Sequence, residues 1–86
     1  MTEQIEIQRK KLIYRSLHRG TKEMDCLLGK FAESEVPSMD ENELNAYDTL
    51  MQENDPDLYY WITGQQEIPE EKRTEMLERV IDYHKI

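Results

Sequence analysis

Cysteine occurs once in this chain, at Cys26, so no disulfide can close within it. The two histidines, His18 and His84, are too few and too far apart to read as a metal-ligand cluster. A reducing compartment is the expectation. No stretch approaches the roughly 20 apolar residues that cross a bilayer, so direct membrane insertion is not expected. The opening Met1-Thr2-Glu3-Gln4-Ile5-Glu6 lacks the basic, apolar or acid-free character of a signal or transit peptide. Strand-type alternation, internal repeats and low-complexity segments are also missing. Positive charge is the scarce sign, with 11 Lys and Arg against 19 Asp and Glu and a formal net charge of −8. The imbalance is local. Residues 1–30 hold seven basic against four acidic side chains, and residues 31–86 hold four against fifteen. An acidic body argues against nucleic acid as the main partner, while the basic first third suits an acidic patch on another protein.

What is present is helical periodicity, and at 86 residues it belongs to one domain with a thin core. A first helix is expected from about Glu6 to His18, with Ile13, Tyr14 and Leu17 at helical spacing. A second runs from about Lys22 to Glu35 on the stripe Met24, Leu27, Leu28, Phe31 and Ala32, and it stops before Pro37. Ser38 or Asp40 starts a third, each followed three residues on by a glutamate in a capping box, with Leu44, Tyr47 and Met51 inward, Leu50 at the edge and Asn54 at the end. Asp55-Pro56 reads as the cap and first-turn proline of a short fourth helix, with Asp57 in the favourable dipole position, Leu58, Trp61 and Ile62 on one face and Gly64 closing it. Pro69 opens a fifth, whose inner face is Met76, Leu77, Val80, Ile81 and His84. The fold expected is all-α: a compact five-helix antiparallel bundle in one domain, residues 1–86, with 1–5 and 85–86 frayed.

Chemistry concentrates at His18-Arg19-Gly20-Thr21-Lys22-Glu23-Met24-Asp25, where one helical pattern stops and another starts around a glycine. Gly20 suits a left-handed backbone after a helix, and Thr21 can cap the next. Arg-Gly-x-x-Glu in this setting, with Leu28 and Phe31 following and Asp55-Pro56-Asp57-Leu58 and Trp61 later, resembles the succinate dehydrogenase assembly factors, flavinylation factors with an RGxxE motif between their first two helices. The likeness covers about Arg9 to Arg79. It implies an assembly chaperone that binds the flavoprotein subunit of succinate dehydrogenase, and of the related fumarate reductase, and promotes covalent attachment of FAD. The FAD then belongs to the partner, and the chain has no cofactor of its own. Mitochondrial members would carry a presequence, so a bacterial cytoplasmic member, acting as a monomer, is the preferred reading over a trimmed form.

From the residues alone, Arg19 and Glu23 need be no more than a surface salt bridge worth about 0–1 kcal/mol. The resemblance instead makes the corner the contact with the flavoprotein, and Arg19 and Glu23 are then expected to project outward. Thr21 and Lys22 ride on that corner. Asp25 has two readings in balance, a cap or bridge toward a base such as Arg15, or an interface residue. Among Tyr59, Tyr60 and Trp61 there is more aromatic surface than one short helix can bury, so a tyrosine is expected to reach the partner. The candidate contact set is Arg15, Arg19, Gly20, Thr21, Lys22, Glu23, Asp25, Asp57 and Tyr60. The run Arg9, Lys10, Lys11 and Arg15 reads as a solvated face that steers association. Cys26 reads as a surface thiol without an activating base. No carboxylate pair, no nucleophile with its base and no phosphate-cradling loop can be assembled, so enzymatic activity is not expected. The competing reading is a small acidic antitoxin or inhibitor that uses its second half, through Glu67, Glu70, Glu71 and Glu75.

Overall fold

Four of the five helices begin on a side-chain oxygen that takes up an orphan amide. In a computed structural model, which describes residues 2–85, these are α2 (Lys22–Glu35), α3 (Glu41–Leu50), α4 (Asp55–Ile62) and α5 (Glu75–His84), preceded by α1 (Thr2–Leu17). Thr21 accepts from the Met24 amide at 3.2 Å, Asp40 from Glu43 at 2.8 Å, Asn54 from Asp57 at 3.0 Å and Thr74 from Leu77 at 3.1 Å. The Glu43 carboxylate returns the bond to the Asp40 amide, completing a capping box. Single 3-10 turns fill Val36–Ser38 and Glu70–Lys72, and no strand occurs among the described residues.

The all-α expectation is met, with several boundaries moved. Helix α1 starts a full turn earlier than Glu6 because Ile5 packs against the core, and it ends at Leu17 rather than His18. The outermost positions of the expected frayed ends, Met1 and Ile86, lie outside the described residues. Ser38 sits in a 3-10 turn, so Asp40 is the cap of α3, which stops at Leu50 rather than Asn54. Asn54, not Asp55, caps α4, leaving Asp55 and Pro56 as its first two residues. Pro69 introduces only the second 3-10 turn. Helix α5 waits for Thr74, because the apolar stripe that must face the core begins at Met76.

One continuous core joins all five helices: Leu12 of α1, Met24, Leu28, Phe31 and Ala32 of α2, Leu44, Tyr47 and Leu50 of α3, Leu58, Trp61 and Ile62 of α4, and Met76, Leu77 and Val80 of α5, with Val36, Met39 and Met51 between them. Leu50, expected at an edge, is buried. Helix α1 turns a different face inward than its pattern suggests. Tyr14 is 63% exposed, whereas Ser16 is fully buried. Ser16 donates to the Leu12 carbonyl at 2.7 Å and accepts from the Tyr47 hydroxyl at 2.7 Å, so its polarity is satisfied inside. Burial pushes the Tyr47 phenol up to about 12, the bond with Ser16 offsetting part of the rise. Gly29 lets α1 and α2 approach closely: a Cβ there would lie 2.6 Å from Leu17 Cδ2. Arg79 of α5 ties Glu35 at 2.8 Å to Glu43 at 2.7 Å, and that bonding, led by Glu35, holds its guanidinium above its ordinary value.

Candidate functional site

The bend between α1 and α2 is fixed by one glycine and one aspartate. Gly20 takes φ +125°, a conformation L side chains rarely adopt, and Thr21 returns to extended backbone as the cap of α2. Asp25, in the first turn of α2, reaches back with Oδ1 to accept from the amides of Arg19 at 2.5 Å and Gly20 at 3.3 Å. Those amides fall between two helices and have no intrahelical partner of their own. Asp25 therefore caps the bend. Its bridge to Arg15 does not form, and Arg15 pairs with Asp48 of α3 at 3.1 Å instead.

Arg19 departs from expectation. Rather than projecting outward, its side chain turns beneath the bend and is only 12% exposed. Nε donates to Asp55 Oδ1 at 2.8 Å, Nη1 to the Met51 carbonyl at 2.6 Å and Nη2 to the Glu53 carbonyl at 2.9 Å, and Nη2 also lies 2.7 Å from Asp55 Oδ1 as its ion-pair partner. The two carbonyls belong to the turn that leaves α3, where the helix dipole is negative. Asp55 is the first residue of α4, where the dipole is positive. A planar fork of five donors serves all three acceptors, which a lysine ammonium could not do with the same geometry. The two sequence motifs, 36 residues apart at Arg19 and Asp55, are thus one joint. The surface salt bridge between Arg19 and Glu23 does not form.

Glu23 is what the joint leaves outside. Its side chain is exposed in the first turn of α2, with no ion pair or hydrogen bond to another side chain among the described residues. It borders an open groove of about 350 Å³ whose other lining residues are Thr21, Met24, Asp55, Pro56, Tyr59 and Tyr60. Met24 is buried, Tyr59 half-buried and Tyr60 37% exposed, and the two tyrosine rings meet edge to face at 5.9 Å. Trp61 is core. The structure thus gathers Arg19, Gly20, Asp25 and Asp55 into a brace and Thr21, Glu23 and Tyr60 around a groove. Lys22 is exposed beside them, Asp57 is half-buried in the first turn of α4, and neither lines the groove.

The basic run is not uniformly solvated. Lys10 and Lys11 are exposed, but Arg9 pairs with Glu6 and donates to the Met39 carbonyl at 2.7 Å. Sequence reasoning also missed an exposed pair next to the bend: the rings of Tyr14 and His18 stack at 4.1 Å, and His18 Nδ1 donates to the Tyr14 carbonyl at 2.8 Å. The signal available was an aromatic and a histidine four residues apart near a helix end. Cys26 is exposed, as expected. Among the described residues no three His, Cys, Asp or Glu side chains gather as a metal site, and no helix is long and apolar enough to cross a membrane.

A glycine bend braced from within, with an acidic side chain at the mouth of an aromatic groove, marks a small all-helical domain. The chain belongs to the family described as flavinator of succinate dehydrogenase, which residues 10–84 match. It is 43% identical over 81 residues to a mitochondrial succinate dehydrogenase assembly factor 2 of Dictyostelium discoideum, covering 94% of this chain and 57% of that protein. It is also 38% identical over 79 residues to the FAD assembly factor SdhE of Acetobacter pasteurianus, covering 92% of this chain and 72% of that one. The mitochondrial assembly factor 2 of Candida glabrata is 40% identical over 87 residues, with 57% of its length covered. The chain thus spans little more than half the length of these mitochondrial relatives.

Proposed function

We propose that this chain is an assembly chaperone that docks on the flavoprotein subunit of succinate dehydrogenase, and on that of fumarate reductase as a second client, and promotes covalent attachment of the subunit's FAD. Family membership supports the class of task. The observation that supports the site is the contrast inside the motif, where Arg19 is consumed by the brace and Glu23 is exposed and unpaired among the described residues. Glu23 is the contact and Arg19 positions it. The bond to FAD forms within the partner, on the partner's own histidine, and this chain supplies no catalytic side chain and holds no FAD. Its contribution is binding energy spent on orienting the partner's domains, which can lower a barrier by several kcal/mol. The protein acts as a monomer. Its accessible surface of 5799 Å² readily offers a patch of roughly 800 Å².

The test is to express the flavoprotein with the wild-type chain, with Glu23→Ala and with neither, and to follow covalent flavin by in-gel fluorescence. Glu23→Ala is expected to keep its fold within about 0.5 kcal/mol, as surface changes do, while covalent flavin falls toward the level seen without the chain. Normal covalent flavin with Glu23→Ala removes Glu23 from the mechanism. Equal flavin attachment with and without the wild-type chain removes the function.

A further inference from the structure

We infer that the groove between α2 and α4 seats an arginine of the docked partner, with Glu23 accepting its guanidinium and Tyr60 covering its face. The inference rests on the docking function proposed above and names the chemistry of the group that is recognised. Two carboxylates line the groove, and they are not equivalent: Asp55 is already hydrogen-bonded and ion-paired with Arg19, whereas Glu23 has no partner among the described residues. The remaining lining is mostly apolar or aromatic, from Met24, Pro56, Tyr59 and Tyr60. A carboxylate beside tyrosine rings suits a flat, weakly hydrated cation that can pair at its edge and stack on its face. Lysine would satisfy the charge and leave the rings unused.

Other occupants fit worse. The first turns of both α2 and α4 open here, a setting that attracts anions when it is unopposed. In this chain those turns carry Glu23 and Asp25, and Asp55 and Asp57, so a phosphate or carboxylate would meet like charge. A wholly apolar segment would leave the Glu23 carboxylate desolvated and unpaired, which is costly. Arginine meets both requirements.

The experiment uses the isolated full-length chain and two probes, N-acetyl-arginine amide and its uncharged isostere N-acetyl-citrulline amide, titrated into the tens of millimolar while backbone amide resonances are recorded. The arginine probe is expected to shift Thr21, Glu23, Met24, Tyr59 and Tyr60, the citrulline probe is not, and Glu23→Gln is expected to lose the response. Tyr60→Leu, which keeps apolar area and loses the ring, should weaken it roughly two- to fivefold. Equal shifts from both probes, shifts confined to other residues, an unchanged response in Glu23→Gln, or no response at all would overturn the assignment. In the complex, Glu23→Arg should abolish co-purification with the flavoprotein, and reversing one flavoprotein arginine to glutamate should restore it; restoration by none of them also overturns it. The probe titration involves no flavoprotein. A null there with intact flavin attachment sinks the groove alone, and a positive response with no effect on flavin attachment sinks the function alone.

Discussion

Replacing Arg19 with alanine should damage stability, where replacing Glu23 damages only docking. The variant removes three hydrogen bonds, one each to Asp55 Oδ1 and to the carbonyls of Met51 and Glu53, together with the ion pair to Asp55. It leaves the Asp55 carboxylate, 21% exposed, without its counterion. Breaking a fully buried pair from one side costs about 3–5 kcal/mol, and an exposed pair about 0–1. A pair this enclosed but still touching water falls between, and the stranded carbonyls push it toward the upper part, so about 2–3 kcal/mol is expected. For 86 residues the entropy of unfolding makes each kcal/mol worth about 5 °C, so the melting temperature should drop by about 10–15 °C. Circular dichroism melts and urea titrations of Arg19→Ala, Asp55→Ala and the double variant provide the measurement. The double variant should lose much less than the sum of the singles, since each already strands the other. A melting temperature for Arg19→Ala within about 3 °C of wild type would refute the brace. Arg19 would then have to be an outward contact after all.

Gly20→Ala should cost about 1–3 kcal/mol from backbone strain alone, because the nearest atom to an added Cβ, Asp55 Oδ2, is a comfortable 3.8 Å away; urea midpoints at unchanged slope would show it. Gly20→Arg should add a blocked approach to the partner and abolish flavin attachment in the co-expression assay. Gly29→Val should destabilise by about 1–3 kcal/mol through overpacking against Leu17, while Gly29→Val with Leu17→Ala should recover part of that in the same titration. The Tyr47 phenol, raised to about 12 in the fold against 10 in the unfolded chain, contributes stability fully present below pH 10 and lost as pH rises through 12, about 2–3 kcal/mol in all. Tyr47→Phe should remove that alkaline limb, which stability curves of the two proteins between pH 9 and pH 12 would reveal as a difference in slope.

The sequence was most legible where the deciding interactions are local. The Thr21 cap, the glycine bend and the stripe from Met24 to Ala32 all lie within a few residues of what fixes them, and they stand where expected. The start of α5 was misplaced because Pro69-Glu70-Glu71 and Thr74-Glu75 both carry helix-start chemistry, and only packing of Met76 and Leu77 chooses between them. The inner face of α1 was misread because a serine outranks a tyrosine there, and the reason is a hydroxyl contributed from α3, 31 residues away. Arg19 failed for the same cause on a larger scale. Both motifs were visible as separate strings, but nothing in either string says that the arginine of one turns inward to the aspartate of the other.

The joint under the bend also imposes an order of events on a growing polypeptide. Helices α1 and α2 can pack as soon as they are made, yet the groups that lock the arginine in place, the carbonyls of residues 51 and 53 and the carboxylate of residue 55, come from the second half of the chain. An N-terminal fragment ending before Asn54 would possess the whole RGxxE string and still lack the Asp55 carboxylate that pairs with its arginine. The brace under the bend therefore closes late in synthesis, after the third helix has docked and the fourth has begun.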